Sequence, residues 1–390
     1  MADLSLAGPG GRPLRIAHLT TVDMSLALLL GTELQVDVES GFEVFGLSAP
    51  GPYVAGVEEL GVRHVPLYAL TRSWDPRRDA AAARELLAAL RALRLDVLHT
   101  HNPKTGVLGR ILGRAVGVPV VVNTCHGLWL RPGDPLPRKA FVLGSEGFAG
   151  LFSHAELYQN AADREAMQWA VPVYRSRVVG NGVDLDRFRP DPAAGSRIRA
   201  ELGVGPDELL VGGVGRMVAE KGIAEFAESA RALAGKARFV WVGPPDPSKP
   251  DGLTELDGSV LSLGERSDMV AVYSALDVFV LPSHREGFSR SAMEAAACGR
   301  PMVLSDIRGC REIGADGAEL LLVPPHDPAA LTAAVDRLLV DPDQRSRLGQ
   351  AAAARARQHF DQRLVAGVSI ATYAAVARRR RLGWTSGGTS

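Results

Sequence analysis

The sequence predicts an α/β protein made of two doubly wound parallel-sheet domains. Three observations carry this. Short apolar runs bounded by turn residues recur along the chain, as expected of strands buried on both faces. Helix-length segments alternate with them, which places the strands in parallel order. The alternation then restarts after residue 200, and 390 residues suit two domains better than one.

In the first half the expected strands are Leu14–Leu19, Glu43–Leu47, Val62–Pro66, Val97–His101, Val118–Asn123 and Ala155–Gln159. Ala80–Arg94 is the clearest helix there, with Leu86, Leu87, Leu90 and Leu93 at helical spacing and Asp79 as its expected N-cap. In the second half strands are expected at Leu209–Val214, Arg238–Val242, Val260–Leu263, Val278–Leu281, Pro301–Leu304 and Leu320–Val323. Helices are expected at Ile223–Leu233, Met269–Ala275, Arg290–Ala297 and Ala329–Leu339. Asn181–Pro192, rich in Asn, Gly, Asp and Pro, reads as a linker. The domains are therefore drawn as 1–183 and 184–360, followed by a segment 361–390. Its cluster Arg378–Arg381 reads as a solvated helix end before a frayed terminus.

Composition excludes several classes. Lys plus Arg and Asp plus Glu both number 44, so no basic excess points to nucleic acid. The three cysteines, Cys125, Cys298 and Cys310, form no C-x-x-C pair, so neither a disulfide framework nor a zinc site is expected, and a reducing cytoplasmic home is. The longest aliphatic run, Leu26–Leu30, is far too short to span a bilayer, and the first residues lack a secretory pattern. Membrane contact, where it occurs, is expected to be peripheral.

Two loops concentrate chemistry. Gly212-Gly213-Val214-Gly215-Arg216 leaves a buried strand, and Glu220-Lys221-Gly222 precedes a helix. Glycines let a backbone approach a ligand, a helix start favours an anion, and Arg216 and Lys221 add cations. That suits a diphosphate clamp. The alternative is a tight turn with solvated cations. The dinucleotide fingerprint fits poorly, because Val218 stands where its third glycine belongs. The second loop, Pro282-Ser283-His284-Arg285-Glu286-Gly287-Phe288-Ser289, follows the Val278–Leu281 strand and so sits where ligands bind parallel sheets. Glu294 then lies two turns into a mostly apolar helix, where a buried carboxylate needs a partner.

Together these residues resemble the family-4 retaining glycosyltransferases of GT-B fold. The resemblance rests on Glu286 and Glu294 as an E-x7-E pair. It is extended by Arg285-Glu286-Gly287-Phe288, Met293-Glu294-Ala295-Ala296-Ala297, Gly299, Pro301, Gly215-Arg216, Glu220-Lys221-Gly222 and Asn181-Gly182-Val183-Asp184. It implies two Rossmann-like domains with a cleft between them and a last helix, from near Asp361, returning to the first domain. It implies that Arg216 and Lys221 hold the donor diphosphate and that Glu286 contacts the donor sugar. Glu294 would grip the ribose, while Gly215 and the amides of Gly287, Phe288 and Ser289 line the donor site. Ser289 departs from the proline common in related sequences.

In the first half, His99-Thr100-His101-Asn102-Pro103-Lys104 and Asn123-Thr124-Cys125-His126-Gly127 each end a strand. They resemble a subgroup acting on lipid-linked or polymeric glycans. His126 matches the family histidine near the reaction centre, and Arg216, Lys221, Glu286 and His126 are the expected catalytic set. His101, Lys104 and His126 are expected at the acceptor, together with Asp23 in the Thr20–Ser25 loop, which lacks the family's glycine pair. His99 is expected to be structural. A His101–His126 metal pair has no evident carboxylate partner, and Asp184-Leu185-Asp186 falls in the linker as a turn or cap. No metal and no cofactor are therefore expected, beyond a nucleoside-diphosphate sugar as co-substrate.

The expected reaction moves a hexosyl or N-acetylhexosaminyl group from a sugar nucleotide, most simply UDP-linked, to an acceptor hydroxyl with retention. A lipid-linked glycan is the expected acceptor. The segment Leu128–Lys139, which mixes Trp129, Leu130, Arg131, Arg138 and Lys139, is expected to touch the membrane with Trp74, Arg77 and Arg78 nearby. The other reading of Trp129 and Leu130 is a small satellite core. A nucleotide-sugar 2-epimerase and a non-catalytic sugar-nucleotide-binding protein are the rival functions.

Overall fold

The computed structural model describes residues 6–73, 75–130, 133–246, 251–256 and 258–386. Contacts divide the chain into two units: residues up to Gly180 with those from Gln362 onward, and Asn181–Asp361.

The first unit begins with β1 (Leu6–Ala7) and continues through β2 (Arg15–Val22), α1 (Asp23–Leu28), α2 (Gly31–Glu39), β3 (Glu43–Ala49), α3 (Val54–Glu59) and β4 (Arg63–Pro66). It goes on with α4 (Pro76–Leu93), β5 (Val97–His101), α5 (Pro103–Ala115), β6 (Val120–Cys125), α6 (Leu136–Gly150), β7 (Ala155–Tyr158), α7 (Ala161–Ala166) and β8 (Ser176–Val178). Seven strands pair in the order β4-β3-β2-β5-β6-β7-β8, all parallel. The order reverses direction between β2 and β5, which opens a crevice at their carboxyl ends.

The second unit holds α8 (Pro192–Glu201), β9 (Leu209–Val214), α9 (Ile223–Ala232), β10 (Ala237–Val242), β11 (Leu261–Ser262), α10 (Met269–Ala275) and β12 (Val278–Leu281). It is completed by α11 (Arg290–Ala297), β13 (Met302–Ser305), α12 (Arg308–Arg311), β14 (Leu321–Val323), α13 (Pro328–Val340) and α14 (Pro342–His359). Its strands run β11-β10-β9-β12-β13-β14, again parallel, with the reversal between β9 and β12. The chain then returns to the first unit as α15 (Gln362–Arg380), which packs on α2, and ends in β15 (Thr385–Ser386), antiparallel to β1.

Several sequence expectations change. Asp75, not Asp79, caps α4, accepting from the amides of Arg77 and Arg78, because Pro76 starts the helix a turn earlier. Asn181–Pro192 is no free linker. Val183 and Phe188 are buried in the second unit's core, and Val183 N donates to Phe360 O at 2.8 Å. The arginines ending α15 are not all solvated: Arg379 donates to the carbonyls of Tyr174 and His154, and Arg380 to that of Pro119. Asp184 behaves as a turn residue, its Oδ1 accepting from the amides of Asp186 and Arg187. Trp74, Arg131 and Pro132 lie outside the described residues.

Candidate active site

Both glycine-loop motifs of the second unit lie at its sheet's reversal point. β9 leads to Gly215-Arg216 and β12 to the Pro282–Ser289 loop. Gly222 joins the two. It sits at φ 71°, and a Cβ there would lie 2.0 Å from the Pro282 carbonyl oxygen, so only glycine lets the strand ends meet this closely. Gly309 presses in the same way against the Glu286–Gly287 backbone, 2.5 Å from a hypothetical Cβ to the Glu286 oxygen.

This packing brings Lys221 and Glu286 together. Lys221 Nζ donates to Glu286 Oε1 at 2.6 Å, and Ser283 Oγ donates to the same oxygen at 2.8 Å. Arg216, half-exposed, pairs with Asp246. Arg285 bonds Glu220 at 3.0 Å. Sequence reading named the cations but missed Asp246, Ser283 and Glu220 as partners, since nothing in their spacing announces the contact.

Glu294 has its partners too. Its Oε2 accepts from the Tyr273 hydroxyl at 2.9 Å and its Oε1 from Arg290 Nε at 3.2 Å. Burial raises its titration above the ordinary glutamate range, and Arg290 and Tyr273 offset that in part. Ser289 is the N-cap of α11, accepting from Ala292 N at 3.4 Å. Phe288 is buried, edge-on to Phe360 at 5.7 Å. The loop is thus anchored at both sides of Gly287.

In the first unit the expected acceptor residues divide. Lys104 is held within the unit. It is buried, and its ammonium bonds the carbonyls of Thr71 and Ser73 and the carboxylate of Asp79, which ties α5 to the start of α4. Asp23 is likewise buried, its Oδ2 accepting from Tyr53 N at 2.7 Å. Both are expected at the acceptor, and both make bonds within the first unit.

His101 and His126 do come together, Nδ1 to Nε2 at 3.0 Å. The expectation that no carboxylate joins them is overturned: His18 on β2 links His101 to Asp37 on α2. His99 is structural as expected, its two nitrogens meeting the Tyr373 hydroxyl and Thr124 Oγ1, each at 2.7 Å. Asn102, at φ 65°, turns the chain between His101 and α5 and accepts from Thr21 N at 3.1 Å. Burial lowers His126 to about 4, and burial with neighbouring histidines holds His99 and His101 well below the ordinary range.

Among the described residues, two groups each bring together three side chains able to bind a metal: His18, His99 and His101, and Glu225, His284 and His326. In the first, each ring nitrogen already meets a protein partner.

The segment expected to touch a membrane also divides. Leu128 is buried with Tyr158 and Met167, and Leu130 packs against them, so this part is a satellite core. Trp129 stays half-exposed under the Arg138 guanidinium, 5.8 Å from its ring centre. The outer face of α6 is apolar: Leu136, Phe141 and Phe148, with Leu151 just beyond, are all exposed. Among the described residues no helix is long and apolar enough to cross a membrane.

Comparison with known proteins gives concordant matches. A family model described as glycosyl transferases group 1 matches residues 208–341, and one described as glycosyltransferase family 4 matches residues 37–187. The chain is 32% identical over 311 residues to a D-inositol 3-phosphate glycosyltransferase of Xylanimonas cellulosilytica, covering 73% of each chain. It is 32% identical over 252 residues to the UDP-Gal:alpha-D-GlcNAc-diphosphoundecaprenol alpha-1,3-galactosyltransferase of Escherichia coli, covering 62% of this chain and 65% of that one. Among solved structures, sucrose-phosphate synthase from Thermosynechococcus elongatus superposes with a TM-score of 0.79 at 22% identity, covering 94% of this chain and 100% of the other. Anabaena Alr3699/HepE in complex with UDP-glucose superposes with a TM-score of 0.79 at 19% identity, covering 93% and 99%. These likenesses establish the GT-B fold.

Proposed function

Because the chain belongs to the family-4 glycosyltransferases, we propose that it moves a sugar from a nucleoside diphosphate, most simply UDP, to a hydroxyl of a lipid-linked glycan, retaining the anomeric configuration. The observation that carries this reading is the Lys221–Glu286 pair at the reversal point of the second sheet, with Glu294 on the next helix. Lys221 and Arg216 supply positive charge for the diphosphate. Glu286 and Glu294 supply carboxylate acceptors for sugar and ribose hydroxyls. The UDP-glucose bound to HepE supports the nucleotide, and the lipid diphosphate of the E. coli relative supports the acceptor class.

Transfer then works by stabilising the departing diphosphate. Fixed cations and loop amides need no reorganisation as charge grows on the leaving oxygens. No metal enters this scheme. The apolar outer face of α6, next to Trp129, Arg138 and Lys139, supports peripheral binding at the inner face of a membrane, where a lipid-linked acceptor would be met.

The test is a donor screen by UDP release, with and without polyprenyl-diphosphate glycan acceptor, with chelator present. Acceptor-dependent release and an α-linked product from an α-linked donor are expected. Release that ignores the acceptor, inversion at the anomeric carbon, or loss of turnover in chelator restored by manganese would each overturn the corresponding part.

A further inference from the structure

Three side chains of the second unit meet apart from the Lys221–Glu286 pair. Glu225 stands in the first turn of α9, His284 three residues beyond β12 and His326 three residues beyond β14. Those two strands flank β13 and run parallel to it, so both loops leave the same edge of the sheet. Helix packing brings in the third segment. α9 and α13 share one apolar cluster, Phe226, Ala227 and Ala230 with Leu331, Val335 and Leu338, and Thr332 Oγ1 donates to Ser229 Oγ at 2.9 Å. Glu225 lies one turn before Ser229 on the same face, and so beside the loop that enters α13. The backbone N–H of His284 donates to the Glu220 carbonyl at 2.9 Å, which holds the β12 loop against the approach to α9.

His284 Nε2 lies 2.7 Å from Glu225 Oε1, and His326 Nδ1 lies 3.6 Å from the same oxygen. The two imidazole rings are 3.7 Å apart, centre to centre, and tilted by 40°. One ligand atom from each residue falls within 4.8 Å of the other two. Glu225 and His284 are half-buried and His326 is exposed, so the group has an entry path from solvent.

Hydrogen bonding alone explains this group poorly. At 3.6 Å His326 is too far to bond Glu225, and among the described residues its ring otherwise meets only His284. Its backbone sits at φ 60°, a region uncommon for residues other than glycine, and this is the conformation that delivers the ring. Two protonated imidazoles this close repel each other. A cation satisfies all three groups at once: each neutral ring offers a lone pair, and the carboxylate offers a charged oxygen.

We propose that Glu225, His284 and His326 form a binding site for one divalent transition-metal ion of the zinc class, with water in the fourth position. A tetrahedral ion with N and O ligands at about 2.0–2.2 Å holds them ~3.4 Å apart. The spacings of 2.7 and 3.6 Å lie on either side of that, so small side-chain rotations seat the ion. Two imidazole nitrogens and one carboxylate suit zinc, whereas calcium and magnesium ask for oxygen ligands throughout. The ion joins three segments, the start of α9, the loop after β12 and the loop between β14 and α13, and so staples the carboxyl edge of the second sheet. It takes no part in sugar transfer, and the site does not depend on that reading.

The test uses the full chain without an affinity tag, stripped with chelator and titrated with zinc, then with cobalt as a visible probe. One zinc per chain should bind at this site, and amide exchange should slow at residues 283–285 and 324–327. Cobalt should show the absorption of a four-coordinate ion, and magnesium or calcium should not displace it. His326→Gly should bind zinc at least about 100-fold more weakly, since loss of a mere outer-shell partner already costs about 10–100-fold. Glycine suits φ 60°, so that variant should fold, with a metal-free thermal midpoint no lower than wild type. Zinc at about 100 times its Kd should raise the wild-type midpoint by about 5 °C and leave that of His326→Gly unmoved. Glu225→Gln should weaken binding in the same way. Wild-type protein that binds no zinc, or zinc binding that persists undiminished in folded His326→Gly, would overturn the proposal. If the variants do not fold, 15N-histidine shifts in the wild type decide: His284 Nε2 and His326 Nδ1 should move on adding zinc, and unmoved shifts end it. None of these measurements needs turnover, so absence of sugar transfer would sink the function reading and leave the site standing.

Discussion

Lys221 and Glu286 form the ion pair on which the proposed donor site is built. Lys221→Ala removes the cation assigned to the diphosphate and leaves Glu286 Oε1 with its bond from Ser283. Losing a donor to charge that develops in the transition state costs about 2.7–4 kcal/mol, so turnover should fall at least about 100-fold. The check is UDP release alongside a thermal melt. Near-normal turnover in a folded variant places the phosphates elsewhere. The buried histidines make a separate statement about pH. His126 is held at about 4 and His154 at about 3, both first by burial, and His99 and His101 are also lowered. A lowered folded value contributes stability that is present above the unfolded value near 6.5 and is lost as pH falls through the folded one. His18 is raised and acts in the opposite sense. At about 1.4 kcal/mol per unit, His126 alone costs about 3 kcal/mol by pH 4. The urea midpoint should therefore fall from pH 6.5 to pH 4, and less steeply in His126→Gln. A flat profile would rule this out. At this scale residue types were easier to read than their partners. The placement of His101, His126 and Glu286 at strand ends and of Glu294 on a helix was legible from the local pattern. The bonding partners of Lys104 and Asp23 could not be read, because burial and backbone bonding are tertiary facts. His18 and Asp37 went unseen because a strand–helix contact leaves no spacing to read.

Among the elements, strands were the most legible, since an apolar run between turns is a local signal. The short β8 lacked it. Helices were harder. α6 carries Gly147, Ala149 and Gly150 on its buried side and Leu136, Phe141 and Phe148 outside, the reverse of ordinary amphipathicity. Its outer face leads to a test: liposomes with anionic lipid should carry the protein to the top of a flotation gradient at low salt. Phe141→Ser/Phe148→Ser should leave it in the soluble fraction with its thermal midpoint unchanged. Wild-type protein that never floats would end the membrane reading. The loop between β9 and α9 supplies another. Gly222→Ala puts a methyl against the Pro282 carbonyl at positive φ, whereas Gly235→Ala, at φ 82°, meets nothing within 4 Å. Strain of this kind costs about 1–3 kcal/mol, so both variants should melt lower. The added clash should make the Gly222 variant clearly the worse, and equal losses would show that the loop yields freely.

For the molecule as a whole, composition and alternation were enough to foresee two parallel-sheet units, and the family-wide motifs lay in the sheet ends where parallel topology puts them. What local pattern could not foresee is how far apart in the chain some bonded neighbours lie. His99 and Tyr373 are 274 positions apart, and Glu33 takes a hydrogen bond from Ser369. α15 supplies both partners, and it also buries Ala366, Ile370 and Val376 in the first unit's core. On the ribosome the first unit is therefore the earliest to emerge and the last to close. Its sheet can form as it is made, but one flank stays uncovered until the final helix has been synthesised. The second unit, Asn181–Asp361, is one continuous stretch and can be complete first. A nascent chain arrested after Asp361 should resist protease in its later half and be cut in its earlier half. Protection of both halves at that length would show that the closing helix is dispensable. A cell making this protein thus holds an unfinished apolar flank for the whole time the second unit is being translated, and the interval is set by elongation speed, not by folding rate.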